Sequence, residues 1–335
     1  MLMIITKSAT RPSDVTHKIK DIEDRINVDE IIEGELPDAI QDFVMANYDE
    51  VTVLANKLCW RFQPFPPENL LQVPDVKNIP GFSHIDPKSQ KFQQGISLYR
   101  EEMCSLTLDE FLEKSQEIKA TPVYNICTNY MSIADSEKYI YRWLKYQFGT
   151  ALERKQFITD VYNFITLKNK KKSILALIGD TSSGKTFFAT ALALLRGSYG
   201  TARQFAKDGE RFAMESSVNQ PVLFIDEAII TTKVVDELKE RTGGDGGYQN
   251  RKGLPAVWVQ TQPLILCSNS QLFDMTPSST NAWSSRCYNY TFKTCDPTVV
   301  PECDVFNEIT REYRLNPRAL ITMFQSVGKL ENILA

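Results

Sequence analysis

The octapeptide GDTSSGKT, Gly179 to Thr186, fits the pattern G-x-x-x-x-G-K-[ST]. That pattern is a phosphate grip: glycines let backbone N–H groups turn toward phosphate oxygens, and the positive end of the following helix adds to the attraction. Gly179, Asp180, Thr181, Ser182, Ser183 and Gly184 form the loop. Lys185 would reach the β and γ phosphates, and the Thr186 hydroxyl would bind Mg²⁺. A second group comes 41 residues after the lysine, where PVLFIDEAI sets Asp226 and Glu227 behind four apolar residues. Paired carboxylates can divide two tasks there, Asp226 polarising a magnesium-bound water and Glu227 activating the attacking water. An exposed acidic pair in a loop is the bland alternative. A third group, QPLILCSNS, ends in Ser268 and Asn269. An uncharged amide at that point hydrogen-bonds a terminal phosphate or positions water without adding negative charge, although asparagine is also an ordinary turn residue. Between the second and third groups, Arg251, Lys252 and Gly253 read as the tip of a basic hairpin, or as a solvated loop.

Such groups need rigid elements beneath them. Short apolar runs predict strands at Ser173 to Ile178, Val222 to Ile225, Ala256 to Val259, Leu264 to Cys267 and Tyr288 to Phe292, with helices at Lys185 to Leu195 and Lys233 to Arg241. Strands apolar on both faces, interleaved with helices, predict an α/β fold with a mainly parallel sheet. Upstream, Ile140, Trp143, Leu144, Phe148, Phe157, Val161, Phe164 and Leu167 recur at helical spacing and predict two or three helices within 132–167. Six prolines from Pro64 to Pro87 predict a mostly extended or looped segment. An amphipathic helix is expected around Pro37 to Tyr48, and a last helix with Asn316 as cap and Pro317 at its first position, running to about Val327.

Composition narrows the field. The chain has 335 residues, 42% hydrophobic and 24% charged, enough for two or three ordinary globular domains. No apolar stretch approaches the roughly 20 residues of a membrane helix. The apolar run at the N-terminus is too short for a signal peptide and has no basic residue before it, so an intracellular protein is expected. Net charge is −4, but residues 1–50 hold 12 acids and 5 bases, which leaves the remainder at +3. Nucleic-acid contact would therefore come from a local basic surface rather than from the whole chain. The seven cysteines form no C-x-x-C pair and read as reduced, packed thiols. With His17 and His84, each standing alone, as the only histidines, histidine-based nucleophile triads and multi-histidine metal centres are nearly excluded from this chain.

Together these residues resemble the superfamily 3 helicases of small DNA viruses, the replication initiators of parvoviruses, densoviruses and papillomaviruses. RKGLPAVWVQTQPLILCSN is similar to the family's hairpin strand and third motif without a gap, and Gly244 with Asp245 sits where a glycine-containing turn precedes the hairpin. GSYGTARQFAKDGERFAMESSVNQPVLFIDE, with Phe212 at an aromatic position, is similar to the segment joining the first two motifs, and SSRCYNYTF to the arginine-bearing segment. The resemblance covers roughly 140–295 and implies an AAA+-like P-loop ATPase. Its domains would be a helical oligomerisation segment at 126–172, the ATPase core at 173–300 and a C-terminal helical tail at 301–335. Residues 1–125 form an N-terminal region of unassigned role.

Carried over residue by residue, the resemblance makes Lys185 the phosphate lysine, Thr186 and Asp226 the magnesium residues, Glu227 the water-orienting acid and Asn269 the γ-phosphate sensor. Arg286 becomes an arginine finger acting on a neighbouring subunit's nucleotide, and Arg251 and Lys252 touch single-stranded DNA, with Trp258 or Tyr248 as stacking partners or as core. The implied activity is ATP- and Mg²⁺-dependent unwinding of duplex DNA by a homo-hexameric ring that moves 3′ to 5′ on a single strand during viral genome replication, in the host nucleus. Two departures stand out. Gly253 replaces the papillomavirus hairpin histidine, and His17 and His84 cannot supply the metal site of a parvovirus nicking domain. Either the chain is a fragment or partial gene product, or a separate nicking protein is a partner. Lys168, Lys170, Lys171 and Lys172 read as a solvated basic face, with nuclear import as the alternative. The rival functions are an RNA-virus-type helicase of the same superfamily, a P-loop nucleotide kinase, for which no arginine-rich lid is evident, and a non-catalytic nucleotide-binding module.

Overall fold

The computed structural model describes residues 48–79, 82–201, 215–228, 238, 242–270, 272, 283, 285–295 and 312–328. They fall into two compact units, one of residues up to Tyr99 with Ile118–Ile126, the other of Arg100–Glu117 with the chain from Cys127 onward.

In the first unit, helix α1 (Tyr48–Phe62) meets the first part of α2 (Gln90–Ser105). Gly95 permits the crossing, because a Cβ there would lie 2.5 Å from the Thr52 carbonyl oxygen. Trp60 and Tyr99 meet edge to face at 5.2 Å, over a core that includes Leu58, Leu70, Val76, Phe82, Phe92 and Ile96. The proline-rich segment is more helical than its composition suggests. Pro67 opens a 3-10 turn, Pro67–Gln72, and Pro74 opens a single α-turn, Pro74–Lys77. At a first helical position proline's fixed φ fits and its missing N–H has no intrahelical partner to lose. The helix expected around Pro37 lies outside the described residues, apart from Tyr48.

The second unit begins with the end of α2 and α3 (Leu108–Glu117), and continues through β1 (Asn129–Tyr130), α4 (Ile133–Gln147) and α5 (Ala151–Ile165). Ser132 caps α4 by accepting from the Asp135 N–H, and Thr150 with Glu153 forms a reciprocal capping box on α5. Then follow β2 (Ile174–Gly179), α6 (Lys185–Leu194), β3 (Gly200–Thr201) and β4 (Leu223–Ile225). The antiparallel pair β5 (Gly247–Arg251) and β6 (Leu254–Val259) leads to β7 (Leu264–Ser268), β8 (Cys287–Phe292), β9 (Tyr313–Arg314) and α7 (Ala319–Ser326).

Five strands form one all-parallel sheet in the order β3-β4-β7-β2-β8. The register sets Ile178 opposite Ser268 and Ile225 opposite Leu266, so the loops after β2, β7 and β4 leave the same edge side by side. One face of the sheet packs Ile174, Ala176, Ile178, Leu223, Ile225, Leu264 and Leu266 with Leu238 and Trp283. An aromatic cluster made by α4, α5, α6 and β8 centres on Phe157, which is 4.8 Å from Tyr290 and 5.5 Å from Phe188 between ring centroids. β1 and β9 form a separate parallel ribbon.

The expected core strands are present, each within a residue or two of its expected ends. β6 starts earlier, at Leu254, because Lys252 and Gly253 alone make the turn, with Gly253 at φ +71°. The last helix starts later, at Ala319. Its cap position is Arg318 rather than Asn316 and carries no side-chain cap; Asn316 Oδ1 instead accepts from the Arg318 N–H at 3.1 Å in the preceding turn, where Ala319 and Leu320 donate three residues back. Of the expected helix Lys233 to Arg241, only Leu238 lies within the described residues. The six described cysteines are free thiols, and Cys59, Cys267, Cys287 and Cys295 are buried.

Phe157 is fully buried at the centre of the aromatic cluster. Phe157→Ala is expected to lower unfolding free energy by about 3–5 kcal/mol, read from denaturant unfolding followed by tryptophan fluorescence.

Candidate functional site

The loop between β2 and α6 contains two residues in the left-handed region, Ser182 at φ +62° and Gly184 at φ +83°. Alternation of this kind turns successive N–H groups into a concavity that attracts anions. Among the described residues, the N–H groups of Ser183, Gly184, Lys185 and Thr186 have no hydrogen-bond acceptor, and the buried Ser183 hydroxyl has no partner. Gly179 has its own constraint, since a Cβ there would lie 2.6 Å from the Phe292 carbonyl oxygen of neighbouring β8.

Lys185 is buried at 7% exposure, and its amine donates to Asn269 Oδ1 at 2.7 Å and to the Asp180 carbonyl at 3.3 Å. The Thr186 hydroxyl donates to Asp226 Oδ1 at 3.0 Å. The sheet order produces both contacts, because β7 lies between β2 and β4 and its end reaches the loop on one side and Asp226 on the other. The Ala228 N–H donates to the Cys267 carbonyl at 2.8 Å and ties the chain past the acids to β7. Glu227 lies between, exposed and at φ +53°, with its N–H on Asp226 Oδ1 at 3.2 Å. A hydroxyl beside a carboxylate is a hard-oxygen pair of the kind magnesium selects, and the unsatisfied N–H groups suit phosphate oxygens, so the residues fit a magnesium nucleotide. Burial pushes the Cys267 thiol well above its ordinary pKa, with the Asp226 charge adding to the effect, and leaves it inert beneath the site.

The structure thus brings together the loop, Lys185, Thr186, Asp226, Glu227 and Asn269. It sets the other expected residues elsewhere. Arg286 precedes β8, its carbonyl accepting from the Ile174 N–H at 3.1 Å, at the edge of the sheet opposite the loop. Arg251 and Lys252 sit at the tip of the β5–β6 hairpin. Arg251 Nε donates to the Pro255 carbonyl at 3.1 Å, and the Lys252 N–H donates to Glu215 Oε1 at 3.0 Å. Tyr248 and Trp258 pair across the hairpin at 5.1 Å and are 68% and 51% exposed, so they are surface residues and not core. Lys168, Lys170 and Lys171 are exposed, while Lys172 lies 4.0 Å over the Tyr288 ring. His84 is exposed, and His17 and Phe212 lie outside the described residues.

Two residues of the site escape a motif reading. Trp143 Nε1 and Gln147 Nε2, one turn apart on α4, both donate to the Ser183 carbonyl, at 3.0 and 3.2 Å. Their spacing in an apolar stripe reads as core. The available signal is chemical: a buried tryptophan needs an acceptor for its N–H, and a glutamine one turn on extends the same buried face.

The papillomavirus helicase family model matches residues 99–328. Initiator protein NS1 of Bombyx mori densovirus is 23% identical over 206 residues, which is 59% of this chain and 22% of that protein. Protein Rep52 of adeno-associated virus 2 is 27% identical over 118 residues, 35% of this chain and 29% of that one. The chain spans between 22% and 30% of the length of these curated relatives. A crystal structure of JCV helicase superposes with a TM-score of 0.55 at 14% identity, covering 83% of this chain and 86% of that one, a likeness of fold.

At Gly184 both φ and space restrict the residue, because a Cβ would lie 2.6 Å from Trp143 Nε1. Gly184→Ala is expected to cost about 1–3 kcal/mol from overpacking on top of about 1 kcal/mol for the left-handed backbone. Gly253→Ala, with nothing within 4 Å of its Cβ, should incur the backbone cost alone. Thermal melts of the two variants test the difference.

Proposed function

We propose that this chain, which belongs to the papillomavirus helicase family, is an ATP-dependent DNA helicase that moves 3′ to 5′ along a single strand as a homo-hexameric ring during viral genome replication. One observation carries the ATPase part: Lys185 meets Asn269 and Thr186 meets Asp226 at the mouth of a loop with unsatisfied N–H groups. The DNA part rests on the exposed basic and aromatic hairpin and on similarity to initiator proteins of densoviruses.

In this reading the loop amides and Lys185 hold the β and γ phosphates. Thr186 and Asp226 hold magnesium, which when bound neutralises phosphate charge. Lys185 exchanges its hydrogen bond with Asn269 for phosphate oxygen, which frees the Asn269 amide to meet the γ-phosphate. Glu227 orients and deprotonates the attacking water. Arg286 cannot serve the nucleotide of its own chain, because β8 separates it from the loop edge by about 20 Å at the usual rise per residue. It acts on a neighbouring copy's nucleotide, where such an arginine is worth about 10³–10⁵ in rate. Arg251 and Lys252 contact the strand's phosphates, and Tyr248 and Trp258 offer ring faces to its bases.

ATPase assays with and without single-stranded DNA, run beside RNA and a nucleoside monophosphate acceptor, test the proposal. Stimulation by DNA is the expected result, whereas phosphotransfer to the monophosphate would replace the helicase with a kinase and stimulation by RNA alone would change the substrate. Lys185→Ala should abolish turnover without lowering the melting temperature, because its amine serves the ligand. Lys252→Ala should retain basal ATPase and lose DNA affinity, with a shallower dependence on salt.

A further inference from the structure

Buried donors outside the phosphate loop hold two of its carbonyls. The Ser183 carbonyl accepts from Trp143 Nε1 at 3.0 Å and Gln147 Nε2 at 3.2 Å, and the Ser182 carbonyl accepts from the Cys295 N–H at 3.0 Å. In a trans peptide the carbonyl and the following N–H point in opposite directions. Fixing these carbonyls toward α4 and the chain after β8 therefore aims the N–H groups of Ser183 and Gly184 the other way. Those N–H groups are the ones left without an acceptor among the described residues.

We infer that Trp143 and Gln147 are positioning residues for phosphate binding, which act by locking the Ser183–Gly184 peptide with its N–H turned toward the ligand. The inference rests on the nucleotide reading of the loop and adds to it residues that lie outside every motif. Both side chains are anchored independently of the loop. The Trp143 ring stacks on Phe188 at 5.2 Å and meets Phe292 at 5.0 Å. Gln147 makes a two-point bond to the Lys293 backbone, Nε2 donating to its carbonyl at 2.9 Å and Oε1 accepting from its N–H at 2.7 Å. Gly184 completes the fit, since any larger residue would push the indole off the carbonyl. An amide aimed before the ligand arrives has no reorganisation to undergo on binding, which favours affinity.

The test measures binding of ADP and of inorganic pyrophosphate to the full chain. Wild type and Lys185→Ala come first: if wild type binds neither probe, the nucleotide reading itself fails, and the inference goes with it. If it binds, Trp143→Phe, which keeps a ring in the cluster and removes the N–H, and Gln147→Met should each weaken both probes by about two- to tenfold, with unchanged near-ultraviolet circular dichroism. Unchanged pyrophosphate affinity in either folded variant would overturn the inference. Wild type supplies a readout independent of any variant: the Trp143 indole proton resonance should shift with pyrophosphate, and an unmoved resonance under saturating pyrophosphate would equally overturn it.

Discussion

Lys185 and Asn269 stand 84 residues apart in the chain, with their polar atoms 2.7 Å apart in space. A single topological fact makes this possible, namely that β7 enters the sheet between β2 and β4 rather than at its edge. With all five strands parallel, every loop that leaves a carboxyl end emerges on the same side. The middle strand then carries a neutral amide to the point where a lysine from one neighbour and a carboxylate from the other converge. A charged residue at the end of β7 would either compete with phosphate for Lys185 or crowd Asp226, so an amide suits that position electrostatically.

The helices before the sheet hold this geometry in place. α4 supplies Trp143 and Gln147 to the loop, and α5 supplies Phe157 to the rings that seat Trp143. Asp160 on α5 accepts from the Tyr290 hydroxyl at 2.6 Å, and burial together with that carboxylate pushes the Tyr290 pKa up. Arg196, which follows α6, is buried and donates to the carbonyls of Met103 and Leu106 at the turn between α2 and α3. The helix that follows the loop is thus held at its start through Gly184 and just past its end through Arg196. A loop with so many unsatisfied N–H groups is intrinsically costly, and this surrounding network is what keeps it in that conformation.

The strands were legible because β2, β4 and β7 are buried on both faces and so appear as unbroken apolar runs. The motif residues were legible because phosphate chemistry demands particular types at particular spacings. Strand order left no local trace, since it is decided by contacts between segments tens of residues apart. The two-residue strands β1 and β9 are too short for any periodicity. α3 was missed although its signal was present. Thr107 and Glu110 form a T-x-x-E capping pair, with the Thr107 N–H on Glu110 Oε2 at 2.7 Å and the Glu110 N–H on the Thr107 hydroxyl at 3.3 Å. The bonds from Thr107 also hold the Glu110 carboxyl below its ordinary pKa. In the proline-rich segment, counting prolines overlooked their position, because Pro67 and Pro74 each begin a turn instead of preventing one.

Chain connectivity gives the hairpin two attachments to the site. β6 runs through four residues into β7, whose far end presents Asn269. From the other side, Glu215 accepts from the Lys252 N–H at the tip, while Gln262 donates to the Ser217 and Gln220 carbonyls in the segment that leads into β4 and Asp226. The hairpin is therefore bound both to the strand that ends at Asn269 and to the one that ends at Asp226. The two attachments reach the hairpin by different routes, one at its tip through Glu215 and one at its base through Gln262. Arg286, by contrast, precedes β8 at the opposite edge of the sheet, a full strand length from the ends that carry Lys185, Asn269 and Asp226.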